Sequence, residues 1–279
     1  MNEQLPVVLV LAGHDPTGGA GLTADGEAIS ACGGWAVTVP TALTVQDCHD
    51  VHRVVPVPAN LIGDMARRLG EFRLAAIKVG LVASLETLDA VVDVVKAHPG
   101  VPVVVDPVLK AGGGKELSTT ALVDAFRARL LPLVDILTPN RLELARLADP
   151  QAQDDSERAR RLLSLGCRAV LVSGSDDPDV GVPGDEVELA LYSAEGRFAW
   201  RWRRLEGSFH GSGCTLASAL AARLAAGDPL QLACERAQRF AWQALAHAWQ
   251  PGKAQSLPRR LAVTEGVHGA GQGVTLPPQ

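Results

Sequence analysis

The sequence predicts an α/β fold in which a mostly parallel sheet carries helices on both faces, and three observations support this. Short runs of branched apolar residues alternate with longer stretches of helical spacing along most of the chain. Runs such as 101–105 have no polar face, as expected for strands that are buried on both sides. Repeated strand–helix units place their crossover helices on the two faces of a parallel sheet.

The predicted strands are short and rich in branched or aromatic residues. In chain order they are 7–11, 35–43, 75–79, 101–105, 134–137, 169–172, 187–193 and 198–203. The last two are separated by Glu195-Gly196, which predicts an antiparallel hairpin.

The predicted helices occupy the segments between these strands. They are 22–32, 58–72, 85–97, 119–131, one that begins near Pro139-Asn140, 156–165, 214–225 and 230–249. Gly33-Gly34 ends the first of them, as glycine commonly does at a helix C-terminus.

The sequence contains no linker rich in Gly, Ser or Pro that would divide residues 1–250, which we therefore expect to form a single domain. Residues 251–279 contain several Gly and Pro and show little periodicity, so we expect a loosely attached tail.

Composition excludes several classes of function. The chain has 279 residues and a net charge of -5, and nucleic-acid binding needs a surplus of cations. The first apolar run stops at Gly13, short of the ~20 residues of a membrane span, and no basic segment precedes it. Five cysteines without a Cys-x-x-Cys pair favour reduced thiols. We expect a cytoplasmic protein that binds neither nucleic acid nor membrane.

A glycine-rich segment, Ala12-Gly-His-Asp-Pro-Thr-Gly-Gly-Ala-Gly-Leu-Thr-Ala-Asp25, follows the first strand. Its glycines permit close approach of a ligand to the backbone. The segment matches neither the dinucleotide fingerprint nor the P-loop, so a tight strand-to-helix turn explains it equally well.

Gly211-Ser-Gly-Cys-Thr215 precedes an apolar helix. Small residues at a helix N-terminus leave backbone N–H groups free, and the helix dipole adds positive potential, so this segment suits a phosphoryl group. The same field predicts a lowered pKa for the Cys214 thiol. The alternative is an ordinary helix start with a buried cysteine.

Polar side chains also follow two central strands. Asp106 ends one of them, and Thr138-Pro-Asn140-Arg-Leu-Glu143 follows the next. A carboxylate at a strand end suits Mg²⁺ held through water. Asn140 and Glu143 also have the spacing of a helix-capping box, and both roles can hold together.

These motifs occur together, in this order, in one family. With Thr41-Ala-Leu-Thr-Val-Gln46, Ile77-Lys-Val-Gly80 and His210-Gly-Ser-Gly-Cys-Thr215, the chain resembles the hydroxymethylpyrimidine/phosphomethylpyrimidine kinases of thiamine biosynthesis. The resemblance implies a ribokinase-like three-layer sandwich, usually a homodimer. It also implies phosphorylation of a pyrimidine alcohol and then of its monophosphate, with ATP as co-substrate and Mg²⁺ as cofactor.

The resemblance also implies roles for individual residues. The pyrimidine would be bound by Gln46, Asp25, Gly13, Ala20 and Leu81. The nucleotide would be bound by Asp106, Thr138, Asn140, Glu143 and Ser173, with Asp106 and Glu143 holding Mg²⁺ through water. The catalytic anion hole would be formed by Gly211, Ser212, Gly213 and Cys214, with Cys214 where sugar kinases of the superfamily carry an aspartate base.

The chain departs from the family pattern at two loops. Ser173-Gly-Ser-Asp176 stands where Lys-Gly-Gly-His is common, and Lys110-Ala-Gly-Gly-Gly-Lys115 adds two lysines after Asp106. Two other hypotheses remain open: a pyridoxal-type kinase, and a pyrimidine sensor without turnover.

Overall fold

The computed structural model describes residues 4–109, 118–148, 151–174 and 184–262. Its strands form a single nine-stranded sheet in the order β3-β2-β1-β4-β5-β6-β7-β8-β9. The strands are β1 Val7–His14, β2 Trp35–Gln46, β3 Val51–Pro56, β4 Leu74–Val79, β5 Val103–Val105, β6 Ile136–Leu137, β7 Ala169–Ser173, β8 Glu186–Ser193 and β9 Gly196–Arg203. In this spatial order, the six neighbouring strands β2, β1, β4, β5, β6 and β7 pair parallel to one another. Strand β3 at one edge, and β8 and β9 at the other, pair antiparallel.

Helices cover both faces of the sheet. They are α1 Gly21–Ala31, α2 Ala59–Arg68, α3 Leu85–Lys96, α4 Thr120–Ala125, α5 Arg141–Leu147, α6 Asp155–Ser164, α7 Ser212–Ala225 and α8 Leu230–Ala246. One buried core lies between the sheet and α2 to α6, and a second lies between the sheet and α1, α7 and α8. The predicted three-layer α/β sandwich is confirmed.

Strand β3 was not predicted, and β2 extends three residues beyond the predicted end at Leu43. Residues such as His52, Arg53 and Val55 are exposed, so this segment has no buried run to signal a strand. Its conformation comes from antiparallel pairing with β2, in which Val55 lies opposite Leu43.

The chain order of the strands reverses at β1. From β1 the chain first adds β2 on one side and later adds β4 to β7 on the other. The carboxyl ends of the parallel strands therefore meet at one edge, with a crevice beside the reversal point, where open α/β sheets bind ligands.

The tail differs from the prediction. Residues 251–262 pack onto the domain, because Ser256 pairs with Phe209 and Leu257 with Trp249. Leu257 is buried and Arg260 is 1% exposed. The loosely attached tail is therefore wrong for this part, where backbone pairing supplies the order that periodicity does not reveal. Residues 263–279 lie outside the described part of the chain.

Candidate active site

A cleft of about 970 Å³ opens along the carboxyl edge of the sheet. Every site residue predicted from the sequence lines this cleft except Asp25. Along the edge, Gln46 ends β2, Gly13 lies near the end of β1, Asp106 follows β5, and Asn140 precedes α5. The strand order therefore spreads the predicted pyrimidine and nucleotide residues to opposite sides of Asp106.

The glycine-rich loop is organised by Asp15. The Asp15 carboxylate accepts hydrogen bonds from the backbone N–H groups of Thr17 and Ala20, both at 2.8 Å, and from the Thr17 hydroxyl. Gly21 has φ +61°, and a Cβ there would lie 2.2 Å from the carbonyl oxygen of Gly13. Glycine is thus required at this turn, which leads directly into α1.

His210 connects this loop to the segment before α7. Its Nε2 donates to Asp15 Oδ2 at 2.8 Å, and both side chains are buried. Burial raises the pKa of the Asp15 carboxyl, but hydrogen bonds from His210 and Thr17 outweigh burial and leave that pKa below its usual value. No role for Asp15 or His210 could be predicted from the sequence, because 195 positions separate them in the chain.

The segment that the sequence predicts as an anion hole is the N-terminus of α7. Gly211 caps the helix in a left-handed conformation with φ +83°, and a Cβ there would lie 1.9 Å from the carbonyl oxygen of Gly19. The backbone N–H groups of Ser212, Gly213 and Cys214 lie in the first turn, where helices supply no internal acceptor. A Cβ on Gly213 would lie 3.5 Å from Asp106, so this turn sits directly beside that carboxylate.

The ionisation state of Cys214 is the opposite of the one expected from the sequence. Burial raises the pKa of its thiol to about 12, and the neighbouring Asp106 and Asp25 carboxylates raise it further. The Lys78 ammonium and a hydrogen bond from the Gly21 N–H act in the other direction but do not prevail. Cys214 is therefore a neutral thiol at neutral pH, and it donates a hydrogen bond to Asp106.

Asp106 is the titratable carboxyl group at the centre of the site. It is 5% exposed, and burial raises its pKa to about 6. The positive charge of Lys78 lowers this pKa, and the negative charge of Asp25 raises it. Asp106 is thus ionised at neutral pH but accepts a proton readily, as a catalytic acid or base requires.

Asp25 does not line the cleft, so the structure does not place it against a substrate. Its carboxylate is fully buried beneath the cleft, where it accepts from Lys78 Nζ at 2.8 and 2.9 Å and from the Ser218 hydroxyl at 2.6 Å. A buried carboxylate needs such partners because ions lose their hydration in the interior. Lys78 itself lines the cleft. A lysine within the apolar run Leu74–Val79 was the sequence signal for this pair.

Residues at the predicted nucleotide end form a capping box. Asn140 Oδ1 accepts from the Glu143 N–H at 2.8 Å, and Glu143 Oε2 accepts from the Asn140 N–H at 3.0 Å. Glu143 also accepts from the Leu109 N–H at 3.4 Å. Asn140 forms a bridge with Ser173, so the predicted nucleotide residues after β6 and β7 are held together. The lysines at 110 and 115 lie outside the described residues.

The donor groups of the cleft are consistent with magnesium. In the described ranges, no group of three or more His, Cys, Asp or Glu side chains could hold a metal ion by itself. Asp106 and Glu143 both line the cleft. Mg²⁺ usually binds through one or two carboxylates, retained waters and the phosphates of the substrate, so two carboxylates fit this ion.

Gln46 lies at the other end of the cleft. Its Nε2 donates to Thr44 Oγ1 at 2.8 Å, and Thr44 Oγ1 donates to the carbonyl oxygen of His14 at 2.8 Å. This chain of hydrogen bonds orients the Gln46 amide. Leu81 lies beside Gly13, where an added Cβ would be 3.1 Å from Leu81 Cδ2, so the two predicted contact residues form one wall.

Comparison with known proteins supports the family predicted from the motifs. The phosphomethylpyrimidine kinase family model matches residues 15–258. The hydroxymethylpyrimidine/phosphomethylpyrimidine kinase of Salmonella typhimurium is 34% identical over 220 residues, which cover 77% of this chain and 81% of that protein. The thiamine biosynthesis bifunctional protein ThiED of Geobacter sulfurreducens is 34% identical over 93% of this chain, which spans only 53% of that longer protein.

The fold is shared with solved kinase structures. The pyridoxal kinase of Staphylococcus aureus in complex with pyridoxal superposes with a TM-score of 0.85 at 23% identity, covering 98% of this chain and 100% of that one. This confirms the ribokinase-like sandwich. With the family model matching most of the chain, the protein belongs to the phosphomethylpyrimidine kinase family.

Proposed function

We propose that this protein transfers the γ-phosphoryl group of ATP to the hydroxymethyl oxygen of 4-amino-5-hydroxymethyl-2-methylpyrimidine, and a second phosphoryl group to the resulting monophosphate. The reaction belongs to thiamine biosynthesis. One observation carries the proposal: a single cleft contains the Gln46 amide at one end, the Asn140 and Glu143 pair at the other, and the N-terminus of α7 beside Asp106 between them.

The Gln46 end suits an aminopyrimidine. Such a ring presents an acceptor nitrogen next to an exocyclic amine, and a side-chain amide offers a complementary N–H and C=O together. Pyridoxal has a phenolic oxygen and an aldehyde instead of that amine, so the same amide pairs with it imperfectly. Gly13 and Leu81 supply the apolar wall beside the ring.

The centre of the cleft suits phosphoryl transfer, in which the enzyme acts mainly by positioning and charge stabilisation. The free N–H groups and the dipole of α7 face the charge of the transferred group. As the alcohol oxygen bonds to phosphorus and the bond to the ADP oxygen breaks, the alcohol proton passes to Cys214 Sγ while the Cys214 proton passes to Asp106. This relay requires no thiolate, in keeping with the raised pKa of Cys214.

Magnesium would be held through water by Asp106 and Glu143, and it would neutralise charge on the nucleotide phosphates. Asn140, Thr138 and Ser173 would position the nucleotide on this side of the cleft. The capping box of Glu143 is compatible with this role, because it fixes the carboxylate at the start of α5.

We also propose that the enzyme is a cytoplasmic homodimer. The five cysteines are free thiols, consistent with a reducing compartment. Leu43 and Val55 form a cross-strand pair in which both side chains are exposed, which suits a subunit interface at this edge of the sheet. In the described part of the chain, no helix has the length and apolar character needed to cross a bilayer.

The test is an ADP-release assay with the hydroxymethylpyrimidine, its monophosphate and pyridoxal. Leaving one buried polar group unpaired costs about 1–3 kcal/mol, so we expect wild type to prefer the pyrimidine over pyridoxal by about tenfold to a hundredfold in kcat/KM. Gln46→Leu should remove this preference, and Gln231→Leu on α8 serves as the matched control.

Each alternative predicts a different result. A wild type that favours pyridoxal would identify a pyridoxal-type kinase. Absence of turnover with all three compounds, despite measurable binding of the pyrimidine, would identify a sensor. Turnover of the pyrimidine without turnover of its monophosphate would limit the enzyme to the first phosphorylation.

A further inference from the structure

Arg260 is a buried arginine that neither the motifs nor the reaction has explained. It lies in the tail, two residues beyond the 15–258 range that matches the family model. Its side chain is 1% exposed, and it is among the largest fully buried side chains of the described residues. The backbone N–H of Arg259 donates to the carbonyl oxygen of Ala244 at 3.1 Å, which fixes this part of the tail to α8.

The guanidinium group contacts three separate elements. Nε donates to the Thr215 hydroxyl of α7 at 2.8 Å, and Nη1 donates to Glu27 Oε2 of α1 at 3.1 Å. Nη1 and Nη2 also donate to the carbonyl oxygens of Gly18 and Gly19 in the glycine-rich loop. Only a planar group with several donors can satisfy partners in these three directions at once.

These contacts converge on the backbone around the anion hole. The Thr215 hydroxyl that accepts from Arg260 itself donates to the carbonyl oxygen of Gly211 at 2.8 Å, the residue that caps α7. Gly211 and Gly19 approach so closely that a Cβ on Gly211 would lie 1.9 Å from the Gly19 oxygen. Neither glycine has a side chain, so groups outside the pair hold this spacing: the His210–Asp15 hydrogen bond on one side and the Arg260 guanidinium on the other.

We propose that Arg260 is a positioning residue for phosphoryl transfer, and this inference rests on the proposed kinase function. It fixes the glycine-rich loop against the N-terminus of α7 and so sets the direction of the N–H groups that face the transferred phosphoryl group. The Glu27 carboxylate, which is one-third exposed, offsets the guanidinium charge, so Arg260 acts on this helix end through its hydrogen bonds.

Loss of the Arg260 guanidinium should lower the rate of phosphoryl transfer more than it weakens binding of the pyrimidine. Misplacement of a reacting group by about 1 Å can cost a hundredfold in rate, so we expect Arg260→Ala to lower kcat by about tenfold or more. The KM for the pyrimidine should change by less than about threefold, because interactions felt mainly in the transition state alter kcat rather than KM. The hydrogen bonds of Arg260 go to Thr215, Glu27 and the glycine-rich loop rather than to the Gln46 amide. Arg260→Lys retains the charge but not the forked donors, and its kcat should lie between those of wild type and Arg260→Ala.

The experiment measures kcat, KM and thermal stability for wild type, both Arg260 variants and Arg259→Ala, which removes the exposed neighbouring arginine. Added guanidinium ion at low millimolar concentration should partly restore kcat of Arg260→Ala and leave Arg259→Ala unchanged. A folded Arg260→Ala with wild-type kcat, or a loss of stability alone, would overturn the inference. If Arg260→Ala does not fold, the kcat of Arg260→Lys decides in the same way. Absence of turnover in wild type would instead overturn the proposed function.

Discussion

Replacing Asp106 by Asn should stabilise the protein at neutral pH while abolishing turnover. Asp106 is buried, and its pKa in the folded protein is raised to about 6, compared with 3.8 for an ordinary Asp. Between these two pH values the folded state binds more protons at this position than the unfolded state. Stability therefore falls as the pH rises from about 4 to about 6 and then stays level, because the carboxylate must be ionised in the interior.

The size of this effect follows from the shift. Each pKa unit corresponds to 1.36 kcal/mol, so a shift of about two units costs about 3 kcal/mol above pH 6. A neutral amide of the same shape avoids this cost and can still accept the Cys214 hydrogen bond. For a protein of this size, about 3 kcal/mol corresponds to a melting temperature that is higher by about 6 °C.

The measurement is thermal unfolding of wild type and Asp106→Asn at several pH values from 4 to 8, without nucleotide or magnesium. The two proteins should unfold together near pH 4, and the variant should be the more stable one above pH 6. Asp93→Asn, at an exposed position on α3, is the matched control and should show no such divergence. A difference that does not change with pH, or a variant less stable than wild type at pH 8, would show that ionisation of the buried Asp106 carboxyl does not lower the stability of the folded protein.

The remaining predictions concern three other residues. Cys214→Ala should lose most turnover but bind the pyrimidine nearly normally. Cys214→Ser can still relay a proton, so it should retain more turnover than the alanine variant. Unchanged turnover in Cys214→Ala would leave the backbone N–H groups as the catalytic element. Glu143→Gln should raise the Mg²⁺ concentration needed for half-maximal rate more than it raises the KM for the pyrimidine, and identical Mg²⁺ titrations would leave Glu143 with helix capping alone. Lys78→Met should lower stability by about 3–5 kcal/mol in denaturant unfolding, since it leaves the Asp25 carboxylate buried and unpaired, and Lys78→Met with Asp25→Leu should recover much of this loss. A double variant no more stable than Lys78→Met would show that the ion pair is not the cause.

Much of the fold could be predicted from the sequence because its signals are local. Strands such as β1 and β5 are uniformly apolar, and that pattern is typical of a strand covered on both faces. The glycines before α1 and α7 marked backbone that must approach other groups closely. Polar residues at the ends of β5 and β6 could be assigned to one edge because parallel strands share a direction. Each of these inferences needs only neighbouring residues and general geometry.

The ionisation states and the supporting contacts of the site could not be predicted in this way. The helix dipole at Cys214 is a local feature, but burial and two carboxylates from distant strands and helices raise its pKa instead of lowering it. Asp25 lies beneath the cleft because Lys78, 53 positions away, neutralises it there. Arg260 belongs to a segment without periodicity, yet it contacts carbonyl oxygens more than 240 positions earlier. Most of the elements, and the sheet edge that carries the cleft, follow from local signals in the sequence. Which charges are paired and which groups hold protons follows from tertiary contacts, because desolvation and Coulomb energy depend on neighbours that folding brings together.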